Sequence, residues 1–349
     1  MGRLGRAAAR FGGLCTIATV VGMTLAVGCR PDADNSNANA SPSLGKREPF
    51  TSLTLTKQPR AQATIGQIDQ PSVVLPHQDR FVLLVPGSVP RNVIRYSLAT
   101  DARTYTLATK LTSRHLEKGA FTAAADLPVM REGFAITVTG GSPRLAVRAL
   151  PSEVVGTATP ETTDYLALWD REIANRRLGV ELDPRGALGP VAFADDAASS
   201  SSKVAIEEVT QRLLGLVIPL PAPAIGVGAK WQVVTLLHHG PFTIKQTAVY
   251  TLESRTDKKC VIAVVIRREA HDQAIDDPRV RDGATTSLVA LFRLIAGTVT
   301  LDLTRPLPAA AELSLESRLH VRMTSADGAP SEDVTEDIGS LRLETAGRE

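Results

Sequence analysis

The sequence predicts an α+β chain dominated by β-structure. One large, mainly antiparallel meander sheet, long enough to curve strongly, is accompanied by two amphipathic helices. Three observations predict it. Apolar and polar residues alternate in run after run, the period of strands with one wet face. Short turn signals such as Asp183-Pro184-Arg185-Gly186 and Gly240-Pro241 join the runs, so consecutive strands become neighbours. Two stretches instead repeat apolar residues at helical spacing: Tyr165, Leu166, Trp169 and Ile173, then Ile206, Val209, Leu213 and Leu216.

The chain opens with Arg3, Arg6 and Arg10 before an uncharged run from Leu14 to Val27. A basic start, a short apolar core and small residues before a cleavage point form a secretory signal. The run is about 14 residues, against the roughly 20 that a membrane-spanning helix needs. It ends Leu25-Ala26-Val27-Gly28-Cys29, which resembles a lipobox; Ala26 stands where Leu is usual, and Leu25 lies one residue earlier. Residues 1–28 are read as a lipoprotein signal peptide and Cys29 as the lipidated first residue of the mature chain. Each buried acyl methylene contributes roughly 0.8 kcal/mol, so two or three chains hold a protein on a bilayer. Arg30, not Asp, follows the cysteine. The expected address is the bacterial cell envelope, anchored by lipid, at the outer membrane and facing the periplasm or the cell surface.

Residues 29–70 form the lipidated start and a disordered tether. Positions 30–49 read RPDADNSNANASPSLGKREP, without apolar periodicity. About 20 such residues reach near 25 Å on average.

Residues 71–349 are expected to fold as a single β-rich domain. Phe81 to Val85 is a short strand closed by Pro86-Gly87. Ile94 to Leu98, Thr104 to Ser113, Phe134 to Thr139 and Arg144 to Leu150 follow as strands. Tyr105, Leu107, Thr109 and Leu111 share one face of theirs. The first helix starts at Thr159-Pro160-Glu161, a cap, a first-turn proline and a charge suited to the positive end. Val180 to Leu182 and Leu188 to Phe193 make a hairpin about the Asp-Pro-Arg-Gly turn. The second helix is capped by one of Ser199 to Ser202 and ended by Pro219-Leu220-Pro221. Strands over Lys230 to Leu237, Thr243 to Ser254 and Lys259 to Arg268 follow. A charged loop around Asp276 and Asp277 comes next. Strands at Thr298 to Leu303, Ala311 to Met323 and Ile338 to Glu344 complete the sheet.

The formal charge of +2 belongs to the discarded signal: without its three arginines the remaining 321 residues carry −1. A near-neutral chain lacks the basic face of a nucleic-acid binder. Cys15 is lost with the signal and Cys29 takes lipid, so Cys260 has no cysteine to pair with. It opens Cys-Val-Ile-Ala-Val-Val-Ile and reads as a small buried apolar residue.

Three stretches carry a resemblance: Leu84-Val85-Pro86-Gly87 with Pro90-Arg91, the hairpin Glu181 to Gly186, and above all Leu220-Pro221-Ala222-Pro223-Ala224-Ile225-Gly226-Val227-Gly228-Ala229-Lys230-Trp231. With Leu303 and Pro306-Leu307-Pro308 after Gly297, they resemble a family of myxobacterial-type lipoproteins without an assigned activity. The resemblance implies secretion, lipidation and a β-rich fold. In the Val-Gly-x-x-Trp motif, Gly226 and Gly228 permit a tight approach into a strand. Trp231 then anchors the core, packed against a helix.

No catalytic residue, metal site or cofactor emerges. His238-His239 offers metal-ligand types, but neighbours on a strand point to opposite faces. His271-Asp272 with Asp276 and Asp277 lacks the glycine and spacing of a calcium loop. Ser199 to Ser202 has no Gly-x-Ser-x-Gly context, and Gly140-Gly141 stands alone without a phosphate-binding pattern. The expectation is a membrane-tethered, non-enzymatic envelope lipoprotein with a binding or structural role. Its alternatives are a carrier of a lipid or other apolar ligand between sheet and helices, and a secreted hydrolase built from scattered residues. That hydrolase would need one of His77, His115, His238, His239, His271 or His320 beside a carboxylate and a hydroxyl.

Overall fold

The computed structural model describes residues 80–117, 119–139, 144–159, 162–163, 166–167, 169–174, 176–193, 215–239, 242–275, 284–325 and 328–345. Residues 1–28, Cys29 and the tether lie outside the described residues, as do His77, Gly140-Gly141, Ser199 to Ser202 and Asp276-Asp277.

Among the described residues, the predicted alternation folds into one antiparallel sheet of fourteen strands. They are β1 (Arg80–Val85), β2 (Ala102–Glu117), β3 (Ala120–Phe121), β4 (Ala125–Asp126), β5 (Val129–Thr139), β6 (Arg144–Val155), β7 (Arg177–Leu182) and β8 (Leu188–Phe193). The C-terminal run holds β9 (Lys230–His239), β10 (Phe242–Arg255), β11 (Lys259–Ile275), β12 (Thr285–Asp302), β13 (Ala310–Thr324) and β14 (Pro330–Thr345). β9 to β14 form a meander, and β2, β5, β6, β7 and β8 continue the sheet beyond β14. β1 lies at the opposite edge, beside β9, so the sheet is open between β1 and β8. β3 and β4 are short additions to β2.

One face of the sheet is buried, and side chains from β2, β5, β6, β7 and β9 to β14 join in its main apolar cluster. With strands about 4.8 Å apart, a flat sheet this wide could not gather them; it curls around the cluster. Three irregular segments fill one end. Residues 86–101 cross from β1 to β2, 216–229 lead into β9, and 303–309 link β12 to β13. Tyr96 and Leu220 amides donate to Pro184 and Arg185 carbonyls of the β7–β8 turn, and the Ser97 amide donates to Leu303. The Tyr96 hydroxyl donates to the Ile218 carbonyl at 3.0 Å. Together they tie the β8 end of the sheet to its β9 end.

The Val-Gly-x-x-Trp motif belongs to this plug. A Cβ on Gly226 would lie 1.7 Å from the Ser88 carbonyl oxygen, so only glycine fits. Gly228 has φ +82°, the left-handed region. Trp231 is buried, stacks on Tyr250 with centroids 5.5 Å apart, and donates Nε1–H to the Pro219 carbonyl at 2.8 Å. Its partner is thus a neighbouring strand and the plug, not a helix.

The expectation of two amphipathic helices is not supported. Among the described residues of the first stretch, 162–163 and 166–167 are α-helical and Trp169–Ile173 is a π-helical turn, closed by the Ala174 amide on the Trp169 carbonyl at 2.8 Å. Thr159 caps the segment as read: its Oγ1 accepts the Thr162 amide at 3.3 Å. Trp169 is then held to the sheet, donating to the Leu150 carbonyl at 2.8 Å and meeting Phe134 edge-on. Ile206, Val209 and Leu213 of the second stripe lie outside the described residues; Leu216 is buried in the plug. The architecture is strand-dominated with very little helix among the described residues. Ile94 to Leu98 is also not a strand: it is the crossing segment, with Ile94 and Tyr96 buried.

Candidate functional site

Sheet register places one polar row across the buried face. Thr235 pairs with Gln246, Gln246 with Arg268, Arg268 with Arg293, Arg293 with Ser317, Ser317 with Asp337, and Asp337 with Ser113. The row crosses seven strands from β9 to β2. Arg293, Ser317 and Ser113 are buried to 7%, 4% and 7% exposure, and the others are half-buried.

Its flanks are apolar. Two residues along each strand, about 7 Å away, runs Val233, Ala248, Ile266, Ile295, Leu315, Gly339 and Leu111. These positions adjoin the plugged core. On the other side lie Leu237, Ile244, Ala270, Leu291 and Leu319, part of a second, separate apolar cluster. The polar row is the boundary between the two clusters.

Arg268 donates Nε–H to Gln246 Oε1 at 2.8 Å. Burial pulls its guanidinium down to about 10 from an ordinary value above 12, with partial compensation from Tyr250. Arg293 donates Nε–H to Ser317 Oγ at 3.4 Å. Burial pushes the Asp337 carboxyl up, against a hydrogen bond from Ser113 and the charges of Arg293 and His115. The row therefore brings two guanidiniums and one carboxylate together in a partly buried strip.

Beyond Leu319 the second flank turns polar: Thr335 follows, then His115. His115 Nδ1 lies 3.1 Å from Thr335 Oγ1. Asp333 sits one step further along β14, its carboxyl pushed up by burial against the pull of His115 and His320. His320 itself meets Glu332 at 3.2 Å. His271 and Asp272 are exposed on β11, and His238 and His239 take consecutive positions of β9. Among the described residues no three His, Cys, Asp or Glu side chains gather as a metal site requires. Cys260 is buried in the core cluster with its thiol pushed up by burial.

Sequence reading missed this row. The available signal was a polar residue on the apolar phase of each strand: Ser113 after Leu111, Arg268 after Ile266, Arg293 before Ile295. No helix among the described residues is long and apolar enough to cross a membrane. Family models and curated proteins give no match to the chain.

Proposed function

We propose that the chain is a lipid-anchored protein of the bacterial envelope, tethered through Cys29, that binds an apolar or amphiphilic ligand on the buried face of its sheet without transforming it. The observation that carries the binding reading is the polar row between two apolar flanks, a pattern of few placed polar groups in apolar surroundings that suits a ligand site. The anchor rests on the Leu25 to Cys29 stretch and on the resemblance to lipoproteins. Palmitate labelling of the full chain in a bacterial host tests the anchor: label is expected on the wild type and lost in Cys29→Ser. Organic extraction of the purified chain followed by lipid mass spectrometry tests the binding. A stoichiometric lipid supports it; an empty extract from a detergent-free preparation opposes it.

A second reading, a secreted hydrolase assembled by the fold, draws on one contact. His115 meets the Thr335 hydroxyl, with the Ser113–Asp337 pair alongside. Ester hydrolysis lost in His115→Ala, with folding retained, would favour this reading over pure binding.

A further inference from the structure

Eight large apolar side chains are exposed among the described residues, and four of them, Val85, Val89, Val93 and Val227, belong to one ribbon. Residues 86–93 continue β1 and run beside 225–229, which lead into β9. Val85 pairs with Lys230. The Gly226 amide donates to the Pro86 carbonyl at 3.0 Å and the Ser88 amide to Val227 at 2.8 Å. Asn92 and Ile225 exchange both backbone bonds, at 3.0 and 2.9 Å. The two backbones lie too close for a side chain between them: a Cβ on Gly87 would sit 2.2 Å from the Gly226 carbonyl oxygen. The ribbon is a fixed frame, and on it Val89 is 79% and Val93 51% exposed. Exposed apolar side chains gathered in one place mark a surface that meets a partner or a membrane.

The charge of this surface is one-sided. Positions 80–95 and 215–230 carry Arg80, Arg91, Arg95 and Lys230 and no acid. Arg95 is spent on the Ile94, Pro221 and Ala222 carbonyls. Arg91 is exposed and gives its Nε–H to the Gly87 carbonyl at 2.9 Å, which holds the guanidinium at the ribbon. Lys230 is exposed opposite Val85. Leu252 on β10 bonds Gly228 and Ala229, so β10 adds Glu253 and then Arg255 beside them. The net sign stays positive. Cys29 precedes β1, with fifty residues between it and Arg80. A flexible chain of that length spans about 40 Å, so an anchored fold meets the bilayer at high effective concentration.

We propose that this ribbon is the face that the anchored protein lays against an anionic bilayer, with its valines at the acyl boundary and Arg91 and Lys230 among the headgroup phosphates. The inference rests on the anchored reading above and adds an orientation to it. An apolar surface with a basic rim binds such a membrane through burial and attraction together. A second copy of the chain fits less well, because two such faces would bring like charges together.

The test uses the full chain, processed and lipidated in a bacterial host and reconstituted into vesicles of phosphatidylcholine with phosphatidylglycerol. Val89→Cys carries the polarity-sensitive fluorophore NBD; Cys29 is acylated and Cys260 buried, so the new thiol takes the label. Ser331→Cys, exposed at the opposite end of the sheet, is the control. The label at position 89 is expected to shift to the blue and to be quenched by brominated lipid, and the label at 331 to do neither. Arg91→Glu with Lys230→Glu should lower the quenching at least about twofold; both side chains are exposed, and an unchanged thermal midpoint separates lost charge from lost fold. A chain that floats with the vesicles while its label at 89 stays in water overturns the docking face and leaves the anchor standing. A chain that does not float overturns the anchored reading and this inference together. Equal quenching in phosphatidylcholine alone overturns the anionic surface. A blue shift without lipid quenching, growing with the number of copies per vesicle, makes the ribbon a contact between copies and overturns the bilayer.

Discussion

Arg268 on β11 and Arg293 on β12 are direct cross-strand partners on the buried face of the sheet. Natural sheets place opposite charges or apolar pairs in such positions, because like charges oppose pairing. The pair therefore weakens the fold. Arg268→Met keeps the volume and removes one half-buried cation, and it should stabilise the fold by about 1 kcal/mol. The urea midpoint at neutral pH measures this. A lower midpoint would mean that the bond to Gln246 outweighs the repulsion.

Asp337 supplies a pH test of the same row. Its carboxyl is pushed up in the folded protein by burial, despite Ser113 and Arg293. Between the unfolded and the folded pKa the native state binds more protons than the unfolded chain, so stability falls as pH rises through that window. The penalty is absent below the unfolded value and complete above the folded one. Asp337→Asn removes it, so the variant should gain on the wild type as pH climbs from 4 to 7. Denaturation curves for both proteins across that range check it, and parallel curves would contradict it.

The polar row also marks where the sequence stopped being readable. Strands predicted to end at Ser113 and Arg268, and to begin at Ile338, run on to Glu117 and Ile275 and begin at Pro330. Each was cut within one residue of the row, because a polar residue on the apolar phase interrupts the alternation that signals a strand. The first half of β12, around Arg293, was missed entirely. The Asp183 to Gly186 turn, the apolar phase of β2 and the places of β7, β8, β10 and β13 were legible, since local pattern dictates them. The row was not, because its members become neighbours only through register. The stretches read as a resemblance meet in the plug: the Gly226 amide bonds to Pro86 and the Leu220 amide to Arg185. They speak for the fold and are silent on the polar row.

That plug is sensitive to a single methyl group. The Gly226 backbone packs against Ser88, with the Gly226 amide donating to the Pro86 carbonyl at 3.0 Å and the Ser88 amide to Val227 at 2.8 Å. A Cβ at Gly226 meets a backbone oxygen, which cannot swing aside as a flexible side chain would. Gly226→Ala should cost about 3 kcal/mol, near the upper end for one substitution. Gly119→Ala is the contrast: nothing lies within 4 Å of its Cβ, and only the strain of φ +82° opposes it, about 1 kcal/mol. Thermal unfolding followed by Trp231 and Trp169 fluorescence should separate the two variants, and equal losses would refute the close-approach argument.

At the end of β12, Asp302 holds the third plug segment in place. Its Oδ1 accepts from the Thr304 hydroxyl at 2.6 Å and from the Thr304 amide at 3.0 Å, while Oδ2 pairs with Arg305 at 3.0 Å. Burial alone would raise this carboxyl, but the Thr304 bonds with Arg305 and Lys259 outweigh it and hold the pKa below the usual range. The anchored turn matters beyond itself, because the Thr304 carbonyl accepts from Ala99 at 3.0 Å on the crossing segment. Asp302→Ala should cost about 2 kcal/mol at neutral pH, the scale of hydrogen bonds to a charged group. A depressed carboxyl stabilises above its unfolded pKa, and that contribution is lost as pH falls through the folded value. The gap between wild type and variant should therefore be widest at neutral pH and narrow on acidification below about pH 4. This slope is opposite in sign to that of Asp337→Asn, so one pH series on both variants distinguishes a carboxylate that fastens the plug from one that burdens the polar row.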